Sequence, residues 1–452
     1  MSRRRLKPLA VSIGALFLLS APLVVCAQST WTVNSCDEGN SGDIPSKTGT
    51  LRFAAAQAAT GDTIDMTTLA CSTISLHTGA IVFGQADLNV NGPGKANLTI
   101  TGSYNGVVEH DRIITHTGAG QLQLGGVSLS NGYVVNLAYQ GGAKGGCIST
   151  AGTLLLANAD VHDCKTLVDK GFSYGGGVYA KGGLLLKYDV ISHNNADSVN
   201  YMAAGGGVYS KGQMSIKYST VSENAATSHN GFSAYGGGVT STGSMFITHS
   251  TISGNFAGIL FGGVNSYNRF GYGPLTTTII DSTISGNGAG VYGGGVYSNL
   301  GNVHIYNSTI AFNSSPGVVI QNRGTGSAVK LISNVIAQNG TDFTGLSNFT
   351  VTGDHNLVRV ANTAMPPDTL TGCPLLGPLA FNGRSTRTHA LRSGSPALDA
   401  GINSNGLKQD QRGLFSDALP YPYPRASGPA VDIGAYELQQ GDVIFVTGFE
   451  GC

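Results

Sequence analysis

One short pattern recurs six times in this chain and limits it to architectures made by stacking. It closes on Asn194, Asn224, Asn255, Asn287, Asn313 and Asn339, at intervals of 30, 31, 32, 26 and 26 residues. Three positions earlier stand Ile191, Val221, Ile252, Ile284, Ile310 and Ile336. Eight positions earlier stand Leu186, Ile216, Ile247, Ile279, Ile305 and Leu331. Five positions earlier the column is small or polar: Asp189, Ser219, Ser250, Ser282, Ser308 and Asn334. A glycine run ending in valine precedes most units, as at Gly175-Gly176-Gly177-Val178 and Gly293-Gly294-Gly295-Val296. Each unit thus holds three short strands with alternating apolar positions, separated by turns. Alone it cannot bury its apolar face; stacked on its neighbours it can, and its backbone groups pair above and below. The reading is all-β, a right-handed parallel β-helix. A propeller would need four strands per unit and a longer period. Asparagine recurs at one turn because it tolerates the left-handed conformation and its amide can bond its copy in the next coil.

Looser repeats extend the solenoid. Residues 122–131 fit a coil ending at Asn131, and residues 154–164 fit one with Cys164 in the asparagine column. Alternation in 73–90 and 97–103 adds N-terminal coils, for about ten in all and a rod of roughly 50 Å. The longer intervals leave insertions at one corner (residues 197–204, 226–234 and 257–261), expected to form a loop-lined ridge. Thr50, the Ala-rich run after it and Gly61 predict a helix over 50–60 that caps one end. After Asn356 the repeat is lost, and Pro, Gly and aromatic residues accumulate into a small C-terminal module. The expected organisation is a signal peptide over 1–27, an N-terminal cap over 28–70, the β-helix over 71–345, the C-terminal module over 346–440 and a tail over 441–452.

Composition narrows the function. Glycine supplies 67 of 452 residues, about twice ordinary usage, and only 11% are charged. The 25:25 balance of cations and anions excludes a basic nucleic-acid binder. Arg3, Arg4, Arg5 and Lys7 precede an apolar run and Val25-Cys26-Ala27, the pattern of a secretory signal cleaved after Ala27. No later window is apolar enough to span a membrane. The expected product is a monomer, secreted or held at the outer surface. Six cysteines remain after cleavage, an even count that suits disulfides in an oxidising compartment. Cys147 falls in the third-glycine column (Gly177, Gly207, Gly238) and Cys164 in the asparagine column. One coil breaks two columns by gaining cysteine, which predicts a Cys147–Cys164 disulfide; Cys36–Cys71 would staple the N-terminal cap.

Three resemblances follow from these residues. The glycine-run and Ser-Thr-Ile-Ser-x-Asn repeats over about residues 70–345 resemble the right-handed β-helix superfamily of pectate lyases, adhesins and polymorphic outer-membrane proteins. Thr50-Leu51-Arg52, Ala54, Ala58-Ala59, Gly61 and Thr63-Ile64 resemble part of the CSLREA N-terminal module of secreted β-helix proteins, with Gly49 and Phe53 in place of its cysteine and glutamate. Residues 370–437 are similar to the choice-of-anchor Q domain of bacterial surface proteins. The match rests on Thr388-His389-Ala390-Leu391, Asp410-Gln411-Arg412-Gly413 and the Val431-Asp432-Ile433-Gly434 run that ends at Glu437. Cys373 and Arg384-Ser385 depart from that pattern. The last residues resemble a short tail of some Gram-negative exported proteins, which implies an outer surface of such a cell. None of these resemblances implies a particular catalytic activity.

A polysaccharide lyase would need clustered carboxylates for Ca²⁺ and a basic residue in one groove, a hydrolase a carboxylate pair. Asp160, Asp163, Asp189, Glu223 and Asp281 scatter over different columns, and nothing suggests a catalytic residue, a metal or a cofactor. His110-Asp111-Arg112 is the densest ionisable cluster and reads as a surface loop. For binding, Tyr179, Tyr209 and Tyr297 share the position after valine, and Lys187 and Lys217 share another. Lys181 and Lys211 share a third; spaced aromatics and cations suit a polysaccharide or host-surface glycan or an anionic polymer, the alternative being that the stacked rings only stabilise neighbouring coils. The loops carrying Tyr174, Phe232, Tyr235, Phe256, Phe261, Tyr267, Phe270 and Tyr272 offer a further binding surface. Asp410-Gln411-Arg412-Gly413 with Asp432 and Glu437 reads as a structural polar network. The expected function is an adhesin-like or glycan-binding scaffold, the alternative a carbohydrate-active lyase or hydrolase on the same fold.

Overall fold

The computed structural model describes residues 28–38, 47–102, 111–137, 142–230, 233–267, 275–299, 301–321, 328–347, 349–383, 385–413 and 422–442. Its framework is three parallel sheets of twelve, eleven and ten strands. One coil runs through Val178–Ala180 on a first face, Leu184–Lys187 on a second and Val190–Ser192 on a third. Each strand pairs in register with its copy in the next coil: Val178 with Val208, Leu184 with Met214, Ile191 with Val221. Alternation turns Val178, Leu184, Leu186 and Ile191 inward, where all are buried. Like packs on like from coil to coil, so a single apolar core extends from Val33 to Val358. The chain is a parallel β-helix.

Two ladders of side chains hold the corners. The backbone N–H and Nδ2 of Asn224 both donate to Asn255 Oδ1, at 3.0 and 2.9 Å, and Asn255 does the same to Asn287 Oδ1. The second Nδ2 hydrogen of Asn255 goes to Val221 O at 3.0 Å. The ladder runs from Cys164 N on Asn194 Oδ1 to Asn339, whose N and Nδ2 end on Asp342 Oδ1. A parallel ladder links Ala159 N to Asp189, Asp189 N to Ser219, Ser219 N to Ser250 and so on to Asn356.

The left-handed residue of this corner is the one before each ladder asparagine, not the asparagine itself. His193, Glu223, Phe312 and Gln338 have φ of 56–60° there, and Gly254 and Gly286 have 65°. Asparagine recurs because only a carboxamide both accepts twice and donates twice along the stack. Asn131 (φ 59°) belongs to this left-handed column, since Ser130 pairs with His162. Gly132 therefore holds the ladder position of its coil.

The same corner explains the cysteines. A Cβ on Gly177, Gly207 or Gly238 would stand 2.9 Å from the carboxamide carbon of Asn194, Asn224 or Asn255, so the third glycine packs flat on the amide. In the coil of Cys147 and Cys164 a disulfide spans that contact, with Cα atoms 5.5 Å apart. A second disulfide joins Cys36 and Cys71 at the N-terminal end. The helix there is Leu51–Gln57, shorter than the sequence suggests because Ala58 is already extended. Thr50 caps it, its hydroxyl accepting from Phe53 N at 3.1 Å. Leu51, Ala54 and Ala55 turn into the core.

The insertions at the corner after the ladder are not irregular loops. They stack into a six-stranded sheet that includes Lys165–Val168, Asn195–Ser198 and Ala225–Ser228, and a four-stranded one that includes Ser173–Tyr174, Ala203–Ala204 and Ala234–Tyr235. Together they form a thin flange beside the first face. Its interior holds mostly small groups: Ala196, Ala203 and Ala226 pack together, and one coil earlier Thr166 and Ser173 share a hydrogen bond of 2.7 Å beside the buried Val168.

The described residues of 376–442 lie along the third face of the last coils. Leu376, Leu391, Ala397, Ile433 and Tyr436 cover Ala311, Val335, Ala337 and Leu357. The outward threonines of that face dock the segment: Thr251 on Arg387 O at 2.7 Å, Thr283 on Gln411 at 2.5 Å, and Thr309 accepting from Ala435 N at 3.0 Å. Arg425 Nη1 reaches Asp281 at 3.2 Å with both side chains fully buried. Arg412 grips Asp410 through Nε and Nη2 at 2.9 and 2.7 Å and lies between the rings of Tyr423 and Tyr436. Glu437 accepts from Ser427 N and Asp432 N. These acids and arginines act as joinery between chain segments.

Candidate functional site: an aromatic groove under the flange

The outward column of the first face reads Thr115, Ser149, Tyr179, Tyr209, Thr240, Asn265, Tyr297 and Val319. The flange leans over it and adds a second layer of rings. Tyr174 stacks on Tyr209 with centroids 4.4 Å apart, and Tyr179 lies 5.8 Å from Tyr209. Further along, Phe261 stacks on Tyr297 at 3.6 Å and 10°. Between the two stacks the column holds only Thr240 and Asn265, and a groove of about 720 Å³ opens there. Tyr201, Met202, Tyr235, Leu260 and Tyr267 form its walls, and Thr242, Lys211, Asn299 and Gln321 add polar groups.

Two carboxamides of the groove, Asn265 and Asn299, hold buried acceptors without a donor. Asn265, 4% exposed, donates to Thr240 Oγ1 at 3.4 Å, but its Oδ1 meets no partner. Asn299, 7% exposed, likewise has an unpartnered Oδ1. Buried acceptors left this way cost on the order of 1–3 kcal/mol each and call for a donor in the groove. Among the described residues, no carboxylate lines it.

Phe261 is the unusual residue. It stands in the column of Gly236 and Gly293, the first glycine of the run, and shares their left-handed backbone: φ is 62° against 58° and 75°. For a bulky L-residue that conformation costs roughly 1–2 kcal/mol. The repeat thus accepts strain at one coil, and what it gains is a ring in the groove wall.

The tyrosines of the glycine-run strand share one column, yet Tyr179, Tyr209 and Tyr297 are not an open platform. They are 4%, 7% and 4% exposed because the flange covers them. Tyr209 and Tyr297 present edges to the groove; Tyr179 lies outside it, under the Lys144 ammonium at 5.6 Å. Lys187 and Lys217 stand on the second face, over Tyr188 and Phe246 at 5.6 Å, and do not meet the tyrosine column. Of the loop aromatics, Tyr174, Tyr235, Phe261 and Tyr267 line the groove. Phe256 points to solvent, 45% exposed, and Phe232, Phe270, Tyr272 and His110 lie outside the described residues. Asn265 and Asn299 were not singled out by sequence. Asn265 could have been, as the position after valine where other units have tyrosine or threonine.

Asp189 and Asp281 are buried in the corners, away from the groove. Burial raises the Asp189 carboxyl to about 7 despite hydrogen bonds from Ala159 N and Lys187 N. No group of three or more metal-binding side chains converges among the described residues, and none of their helices is long and apolar enough to cross a membrane.

No family model and no curated protein matches the chain. Among solved structures it is similar to one titled "Crystal structure of pectate lyase Pel9A", at 15% identity and a TM-score of 0.40 over 92% of this chain and 97% of that one.

Proposed function

We propose that the protein is an exported, non-catalytic scaffold that binds glycans in the aromatic groove. The observation that carries this reading is the pairing of stacked rings with two buried, donorless carboxamide oxygens, Asn265 and Asn299. Pyranose rings offer apolar faces to aromatic side chains and hydroxyls to such acceptors. The apolar run ending at Ala27 and the two disulfides support export to an oxidising compartment. The CSLREA-like residues around Thr50 and the choice-of-anchor Q-like residues 370–437 would serve as the start of the solenoid and its surface-associated end, on a Gram-negative cell.

Phe261→Gly is the informative variant, because it restores the residue that other coils use. It should fold, yet bind pyranose oligomers about three- to tenfold more weakly in calorimetry, the worth of a lost ring contact. Equal affinity, or no binding of any oligosaccharide by the parent protein, would sink the reading. Unsaturated products released from a uronate polymer with Ca²⁺ would instead establish a lyase.

A further inference from the structure

At its N-terminal end the groove runs into a group of cations. Lys181 and Lys211 follow Ala180 and Ser210, which pair in register, so the two lysines stand one coil apart, about 4.8 Å along the axis. Both are exposed, and Lys211 lines the groove. Lys144 reaches in from the flange over the ring of Tyr179, at 5.6 Å. Arg112 comes from the coil before: Nη1 donates to Thr115 Oγ1 at 3.4 Å, in the same outward column, while its buried Nε has no acceptor.

None of these four cations makes an ion pair with a described carboxylate within 4.0 Å. The nearest acid in sequence, Asp111, already accepts from Ala80 N and Arg112 N. The four repel one another. Partial burial holds the Lys144 ammonium below its usual range, and Lys211, Arg112 and Lys181 push it further down. In a chain with so few charges, four cations without an ion pair to any described carboxylate, beside a groove whose described lining has none, call for an anion from outside.

The geometry points to an anion subsite in which Arg112, Lys144, Lys181 and Lys211 receive the acidic substituent of a glycan whose adjoining ring lies against Tyr209. The inference rests on the glycan reading and narrows it to acidic glycans. The substituent is a carboxylate, or a sulfate or phosphate ester; each presents oxygens to several N–H donors at once. Recognition is by the protein's own cations, so it needs no divalent metal.

The test is calorimetry on the full exported protein in EDTA. The probes are oligogalacturonate, its carboxyl-reduced neutral counterpart, a sulfated galactan oligomer, and inorganic polyphosphate as a polyanion without sugar. Acidic oligomers should bind about tenfold or more tighter than the neutral one, with an advantage that shrinks as salt rises. Whichever acidic oligomer binds tighter identifies the substituent. The double variant Lys181→Gln/Lys211→Gln should bring acidic and neutral affinities together. Equal affinity for acidic and neutral oligomers would overturn this inference and leave the glycan reading standing. So would an unchanged acidic preference in the variant. Polyphosphate bound through these lysines with no oligosaccharide bound would overturn the glycan reading and this inference with it.

Discussion

The two columns of the corner solve different problems, and sequence separates them only in part. The asparagine column was legible because a carboxamide is the only side chain that continues such a ladder, so selection shows as identity. The left-handed column was not legible. His193, Glu223, Phe312, Gly254 and Gly286 share a backbone conformation, not a chemistry. Asn131, which belongs to it, looks like a ladder residue until pairing shows otherwise. The aspartate in the serine ladder gives a clean test. Its carboxyl is held at about 7 in the fold by burial, above the ordinary unfolded value of about 3.9. The folded state therefore binds the extra proton. Stability should fall as pH rises from about 4 to about 7 and stay flat above. In Asp189→Ser the hydroxyl can accept from Ala159 N as its neighbours do, and the part of the slope that Asp189 contributes should vanish, leaving that of the other buried carboxyls such as Glu437. Urea denaturation should find the variant more stable by about 1–4 kcal/mol at pH 8 and little changed at pH 4.

At the scale of elements, the flange is where reading from sequence fell short. The spacing of the repeats puts residues 197–204, 226–234 and 257–261 at the right corner, but nothing in their pattern announces strands. Their strands are two to four residues long, and their inward positions are Ala, Ser and Thr. A periodicity argument looks for columns of branched apolar residues, and this thin flange buries small residues in most coils, with Val168 as an exception. The groove was hidden for the same reason: it exists only because that layer leans over the first face. The main solenoid had the opposite character, with wide columns of Leu, Ile and Val that announce themselves. Ala226→Leu, made where the side chain is fully buried between Ala196 and Ala203, should overpack the flange and cost about 1–3 kcal/mol. Hydrogen exchange should rise over residues 195–235 and stay low in the central strands. Glycan affinity should fall although no groove residue has changed.

For the molecule as a whole, the C-terminal segment ties coils together that otherwise touch only their neighbours. Arg425 and Asp281 form its buried anchor, and His249, 3.3 Å from Asp281, is held neutral by burial and by Arg425, its pKa down at about 4. Arg425→Met would strand a buried carboxylate and should cost about 3–5 kcal/mol, while adding Asp281→Ser should recover most of it. A double-mutant cycle by thermal unfolding checks the coupling. The disulfide coil has a consequence of another kind. A stack of near-identical coils is almost unchanged when moved along its own axis by one unit, so a folding chain could mate each unit with the wrong neighbour and still align valine with valine and amide with amide. The thiols of Cys147 and Cys164 break that translational symmetry. Both belong to the same coil, so their bond closes that turn whichever unit stacks on it. Oxidation therefore locks a single turn at its native circumference and sets a fixed origin along an otherwise repetitive axis.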